Sequence, residues 1–291
     1  MERQLWRSIV GLVATLGQPP RPRCRYSDAT IVAVWYWAVI HDRPCSWACD
    51  RRHWPIDLRA RPLPSQSRLS RRLRTASVRA LLAAVERRAI APKTPGLYWM
   101  IDGKPLPIGG CSKDRQAGYG RSAGGKAKGY KLHAITGSDG SIAAWRLAPM
   151  NTDERVMAAR MLKAAAPEGY IVADSNYDSN PLHAICDALG QRQFVAPRRY
   201  GPGRGFGHKK QTPGRRHCVE LLENPFPRFA ERLLRHRAAI ERHFGGLVNW
   251  GGGLTCLPPW ARTYRRVYRW VQAKLVLTAL KRSAQTTTCA G

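Results

Sequence analysis

Acidic residues are scarce in this chain: 19 Asp and Glu stand against 49 Lys and Arg, a formal net charge of +30. A folded protein bears such self-repulsion more readily when its usual partner is a polyanion, so nucleic acid is the expected partner. Long apolar runs are missing as well. The longest, Ile31 to Ile40, is about half of what a bilayer span requires, which excludes a membrane helix. Ile9 to Leu16 has Glu2 in its leading segment, and Pro19, Pro20 and Pro22 follow it without a small-residue cleavage site. It reads as a short helix, with no export implied and a cytoplasmic location expected. Cysteine offers no framework: the eight thiols are scattered and none forms a CxxC pair. Cys45 and Cys49 can lie one helical turn apart near His41 and His53, but no second pair at ligand spacing supports zinc. Internal repeats are absent too.

What is present is enough apolar residue, 44%, to build a core over 291 residues: one large domain, or a core domain with a small accessory one. Residues 1–95 read as a helical, basic domain with 18 Lys and Arg against 6 acids. Ser27 or Asp28 can cap a helix through Ala29 to His41 that is apolar all round and therefore buried. In Ser65 to Arg74, Leu69 and Leu73 share one helix face while Arg68, Arg71, Arg72 and Arg74 project elsewhere. An apolar seam with guanidinium groups turned outward suits a short DNA-recognition helix. Val78, Leu81, Leu82, Val85 and Ala89 then mark the buried face of another helix.

From Leu97 the pattern changes to a mixed α/β order. Leu97 to Asp102 reads as a buried strand running into a Gly103-Lys104-Pro105 turn. Tyr130 to Thr136 and Ser141 to Leu147 flank an Asp139-Gly140 hairpin turn. A helix is expected over Asp153 to Ala166, a strand over Tyr170 to Asp174, a helix over Leu182 to Leu189 and a strand over Gln193 to Ala196. Arg198 to His217, rich in Gly, Pro and bases, reads as a flexible phosphate-gripping loop. Helices follow from Arg228 to Val248 and from Tyr264 to Lys281, then a frayed tail, 282–291.

Two-metal phosphodiester chemistry needs carboxylates from distant parts of the chain to converge, and strand ends hold them rigidly. Asp102 ends one apolar strand, and Asp174 ends another 72 residues later. The third acid is Glu241, whose neighbours Ile240 and Phe244 can anchor its helix on the sheet. Asp178 reads as a local turn or capping acid.

Four stretches carry a resemblance: Ile101-Asp102-Gly103-Lys104-Pro105; Gly129-Tyr130-Lys131-Leu132-His133; Asp174-Ser175-Asn176-Tyr177-Asp178-Ser179; and Arg237-x-x-x-Glu241-Arg242-x-Phe244. Together with Asn151-Thr152-Asp153, they resemble the bacterial insertion-sequence DDE transposases of the hairpin-type families. The resemblance covers about residues 97–281 and implies an RNase H-like catalytic domain over 96–281. It also implies Asp102, Asp174 and Glu241 as ligands of two Mg²⁺ ions, with Mn²⁺ as a substitute. A homodimer on double-stranded DNA, associated with the bacterial nucleoid, is implied as well. Lys131, Arg198, Arg199, Lys209, Lys210 and Arg237 are the expected backbone contacts beside Arg68, Arg71 and Arg72. The related signature has a Tyr three residues before the Arg and a Lys seven after the Glu. This chain has Leu234 and Val248 there, leaving Lys274 as a substitute cation. A DNA-binding relative without catalysis, a two-metal nuclease of the same fold and an RNA-associated basic protein stay open.

Overall fold

The computed structural model describes the chain except residues 20–23, 60–61, 93–95, 110–111, 166, 191, 200–210, 224–226, 249–253, 255 and 290–291, and the side chains of 227, 237–239, 248 and 285–289. It forms two compact units. The first holds residues 1–90 and also the C-terminal segment from Pro258.

In the helical unit, α1 (Glu2–Leu16), α2 (Asp28–Ile40), α3 (Cys45–Ala48), α4 (Gln66–Arg72) and α5 (Ala76–Ile90) gather with the C-terminal helix described last. The Ser27 hydroxyl accepts the Thr30 N–H at 3.0 Å and starts α2, whose residues Ile31 to Ile40 are all buried. A helix with no polar face has nowhere to go but the centre of a bundle. Trp37 and Trp54 stack at 4.6 Å beside Trp6, filling one end of this core. Ser65 caps α4, which buries Leu69; Leu73, just past its end, is buried too.

The second unit is a mixed sheet between helices. Its strands are β1 (Tyr98–Pro107), β2 (Gly118–Ser122), β3 (Gly125–Gly137), β4 (Ile142–Pro149), β5 (Gly169–Val172) and β6 (Arg192–Val195). The order is β2-β3-β1-β5-β6, with β4 pairing β3; β1, β3 and β4 are antiparallel neighbours, while β5 and β6 run parallel to β1. This is the RNase H-like arrangement. The helices α6 (Glu154–Ala165) and α7 (Asn180–Leu189) share a core with Trp99, Ile101, Ile171 and Phe194 on one face. On the other, α8 (Pro213–Glu223) and α9 (Pro227–Val248) meet Val172, Val195 and Cys218. Leu234, which stands where the related signature has Tyr, packs into that second cluster.

Several expectations change here. The strand does not turn at Gly103-Lys104-Pro105 but continues to Pro107 against β3. Beyond Met100, β5 no longer pairs with β1, so Pro105 can lack its N–H on an open edge. Part of the stretch read as a loop, from Pro213, is the start of α8, whereas 200–210 lies outside the described residues. The last helix, α10 (Tyr264–Cys289), extends well past Lys281 into the expected tail and packs on α5 and α2. No helix among the described residues is long and apolar enough to cross a membrane.

Candidate active site

In the parallel pair β1–β5, Tyr98 faces Tyr170 and Met100 faces Val172. Asp102 and Asp174 are separated by the same 72-residue offset, so they stand at equivalent positions two residues past the last pair. Neighbouring strands run about 4.8 Å apart, a separation at which two carboxylates can share a cation. Asp102 is therefore not at the end of its own strand; it is the end of β5 that leaves it room. Side chains alternate along β1: Trp99 and Ile101 enter the α6–α7 core, whereas Tyr98 stacks on His236 of α9 at 4.3 Å. By that alternation Asp102 belongs to the face covered by α9.

Both aspartates are half-buried. Asp102 Oδ1 accepts the Gly103 N–H at 2.7 Å, and Asp174 Oδ1 caps the Ser175–Tyr177 turn by accepting the Asn176 N–H at 2.9 Å. Between these elements the Tyr177 hydroxyl is fully buried. Burial holds its pKa well above the usual value, and the charges of Glu154, Asp102, Asp174 and Asp153 raise it further. These acids thus share one neighbourhood.

Glu154 was not singled out from sequence. It opens α6, directly after Asn151-Thr152-Asp153, and its Oε1 accepts from Lys131 Nζ at 2.5 Å. A Cβ on Gly103 would lie 3.3 Å from that Oε1 and 2.9 Å from Lys131 Cδ, so the pair packs directly over this glycine and a side chain there would push the lysine aside. Lys131, expected on the DNA backbone, is instead engaged with this carboxylate. Lys104 lies near Asp102, and burial lowers its pKa against the pull of that carboxylate.

Glu241 lies on α9 between buried Ile240 and Phe244, and its own side chain is exposed. Among the described residues no group of three or more His, Cys, Asp and Glu is spaced to hold a metal. Asp102 and Asp174 thus stand at matching positions of β1 and the segment after β5, and Glu241 is exposed on α9, the helix that covers this face of the sheet.

The expected DNA contacts divide similarly. Arg68 and Arg71 are exposed on α4. Arg72 turns inward, with its guanidinium on the Asp28 carboxylate, Cys24 Sγ at 2.8 Å and the Tyr26 carbonyl at 3.1 Å. Arg198 pairs with Glu223 at 2.6 Å, and the Arg199 backbone N–H donates to Asp178 at 3.2 Å. Lys209 and Lys210 lie outside the described residues, as does the side chain of Arg237. Lys274 is no substitute phosphate contact: it is 2% exposed and paired with Asp42 inside the helical unit. Asp178 is not a local capping acid either. It is 3% exposed and receives Arg215 Nε at 2.8 Å and Nη2 at 2.9 Å, tying α8 to the turn after β5.

Against this geometry, the family model described as "Transposase DDE domain" matches residues 99–273, more than half of the chain. The chain belongs to the DDE transposase domain family. The match contains both aspartates, Glu154 and Glu241. This DDE-family chain is also similar to a solved piggyBac transposase, seen by cryo-EM in a synaptic complex with hairpin DNA. Identity is 10%, the TM-score is 0.53, and the alignment covers all of this chain and 76% of that one. At that identity the likeness speaks for the fold. No match is found among curated proteins.

Proposed function

We propose that the chain is a DNA transposase that cuts at the ends of an insertion sequence and joins them to target DNA. The observation that carries this reading is the equivalent placement of Asp102 on β1 and of Asp174 just past the end of the parallel strand β5, within the family-matched stretch. Family membership supports transesterification chemistry, and the hairpin DNA in the piggyBac complex supports DNA as partner.

The donor set suits a divalent cation: Mg²⁺ takes oxygen ligands, and two carboxylates on rigid neighbouring elements are hard oxygen donors. Asp102 and Asp174 are the ligands we assign to two Mg²⁺ or Mn²⁺ ions, with Glu241 completing the second position from α9. Such ions, when bound, polarise the attacking oxygen and stabilise the leaving one. The protein contributes position. β1 and the turn after β5 fix the two carboxylates, while Lys131–Glu154 closes the α6 end over Gly103. Water first breaks the phosphodiester at the element end; the released 3′-OH then displaces a target 3′-oxygen in line. Little covalent work falls to the protein in such a transfer, so alignment and charge dominate. Arg68 and Arg71 are exposed on α4 to meet DNA phosphates, and two chains pair two ends.

Incubation of the full chain with labelled element ends, Mg²⁺ and a supercoiled target tests the reading. Joined products are expected. Cutting without joining would reassign the chain as a nuclease of the same fold, and binding without cutting as a relative that has lost catalysis.

A further inference from the structure

Beyond Gly129 the sheet narrows to two strands. β3 meets β1 over Gly129 to Gly137 and β4 over Tyr130 to Thr136, whereas its first residues, Gly125 to Lys128, pair only with Tyr119 to Ser122 of β2. The two segments leave the sheet as an antiparallel ribbon. At its tip a Cβ on Gly124 or Gly125 would meet nothing within 4 Å, so the turn stands in open space. Its base is held in place. A Cβ on Gly118 would lie 1.9 Å from Asn151 Oδ1, and one on Gly120 2.6 Å from the Met150 carbonyl oxygen. These glycines therefore face the turn after β4, and the alternating residues of β2 face away from it.

That outward face is cationic with an aromatic at its centre. Tyr119, 58% exposed, and Arg121 stand opposite Lys128 and Lys126, so the four side chains share one face. The ammonium groups of Lys126 and Lys128 lie 5.8 and 5.9 Å from the centroid of the Tyr119 ring. Lys113 and Arg115, just before β2, are exposed as well. The acid between them, Asp114, is buried and accepts the Tyr130 hydroxyl at 2.8 Å. The ion pairs among the described residues include none of these five cations. Like charges placed directly opposite one another destabilise a strand pair, so Arg121 across from Lys126 is a cost to the free protein that a polyanion removes.

We propose that this ribbon enters the major groove of double-stranded DNA, with Arg121, Lys126 and Lys128 on the phosphates of the groove walls and Tyr119 between them. The inference rests on the transposase reading and deepens it. The major groove of B-DNA admits a two-stranded β-ribbon. Ala134 stands opposite Asp102, and from it β3 runs six residues to Lys128 and eight to Lys126. At about 3.4 Å per residue the cations lie roughly 20–27 Å from the catalytic aspartate. With B-DNA rising about 3.4 Å per base pair, the ribbon holds the duplex about six to eight pairs from the phosphate being cut. Element ends and target DNA offer the same groove.

Filter binding of the full chain over a salt series, with duplexes that carry the element end and duplexes of unrelated sequence, tests this. Arg121→Gln/Lys126→Gln should lose at least about tenfold in affinity near 100 mM salt, and its salt slope should shrink by about 1.8, for two lost phosphate contacts. Arg87→Gln/Arg88→Gln, which removes the same charge from exposed positions of α5, should keep the parental slope. Loss on the end-bearing duplex alone would assign the ribbon to the element, and loss on both would include the target. Relief of the repulsion should leave the melting temperature without DNA unchanged or raised. Independently of any charge change, a photoreactive benzophenone amino acid at Ala123, exposed in the turn, should cross-link to DNA about six to eight pairs from the cut site. An unchanged slope, an equal loss in the α5 variant, or cross-links absent from that interval overturns the proposal. A chain that joins element ends yet gives those results loses only the ribbon; one that shows the slope change and the cross-links but joins no ends loses only the transposase reading.

Discussion

Asp174 and Asp178 lie four positions apart, and the structure gives them opposite burdens. Asp178 neutralises the buried Arg215 through two hydrogen bonds, so Asp178→Asn strands a guanidinium that is 4% exposed. The expected cost is about 3–5 kcal/mol of unfolding free energy, read by urea denaturation. A wild-type midpoint would contradict that role. His183 sits beside the same pair, 1% exposed, and burial lowers its pKa from 6.5 to about 4 despite the Asp178 charge. The folded state keeps the imidazole neutral while the unfolded chain takes up its proton near 6.5. Stability therefore falls as pH drops from 6.5 towards about 4. Melting temperatures across that window should decline less steeply in His183→Leu; an unchanged slope would assign the decline to other groups. Asp102 and Asp174 stand out in the sequence because acids are rare here and each follows an apolar run. The duties of Arg72 and Glu154 do not, since each depends on a partner far along the chain, Asp28 and Lys131.

Among elements, α2 stood out as an unbroken apolar run, and α5, the β3–β4 hairpin and α9 by their apolar and turn pattern. β2 did not, because Gly118-Tyr-Gly-Arg-Ser has no apolar alternation and owes its conformation to pairing with β3. The start of α8 was hidden in a stretch whose Gly, Pro and Arg read as loop, although Arg215 is drawn in by Asp178 and Cys218 joins the core. Pro105 suggested a turn because a central strand cannot spare an N–H, and only the short β5 makes that edge open. The close packing of β1 on β3 makes a further prediction. A Cβ on Gly129 would stand 2.3 Å from the Leu106 carbonyl oxygen and 2.9 Å from Pro107 Cα, both backbone atoms that cannot swing away. Gly129→Ala should cost about 1–3 kcal/mol, seen as a lowered melting temperature. A variant as stable as the parent would mean that the two strands do not meet in this register.

For the molecule as a whole, the formal charge of +30 and the fold of a DDE domain point to the same partner. If six to ten phosphates are neutralised, DNA affinity should fall roughly 10³–10⁵-fold between about 50 and 200 mM salt. A nearly flat response in a filter-binding titration would remove the electrostatic basis of the account. The central claim, that Asp102 and Asp174 jointly serve the transfer chemistry, is tested most directly by strand transfer in Asp174→Asn. The substitution preserves size and removes the charge that a cation needs. Clustered carboxylates repel one another, so the fold should lose little stability or gain some. Metal-free DNA binding should match the parent, while joining of labelled ends to a supercoiled target should fall by more than about 100-fold. Joining at near the parental rate would contradict the account.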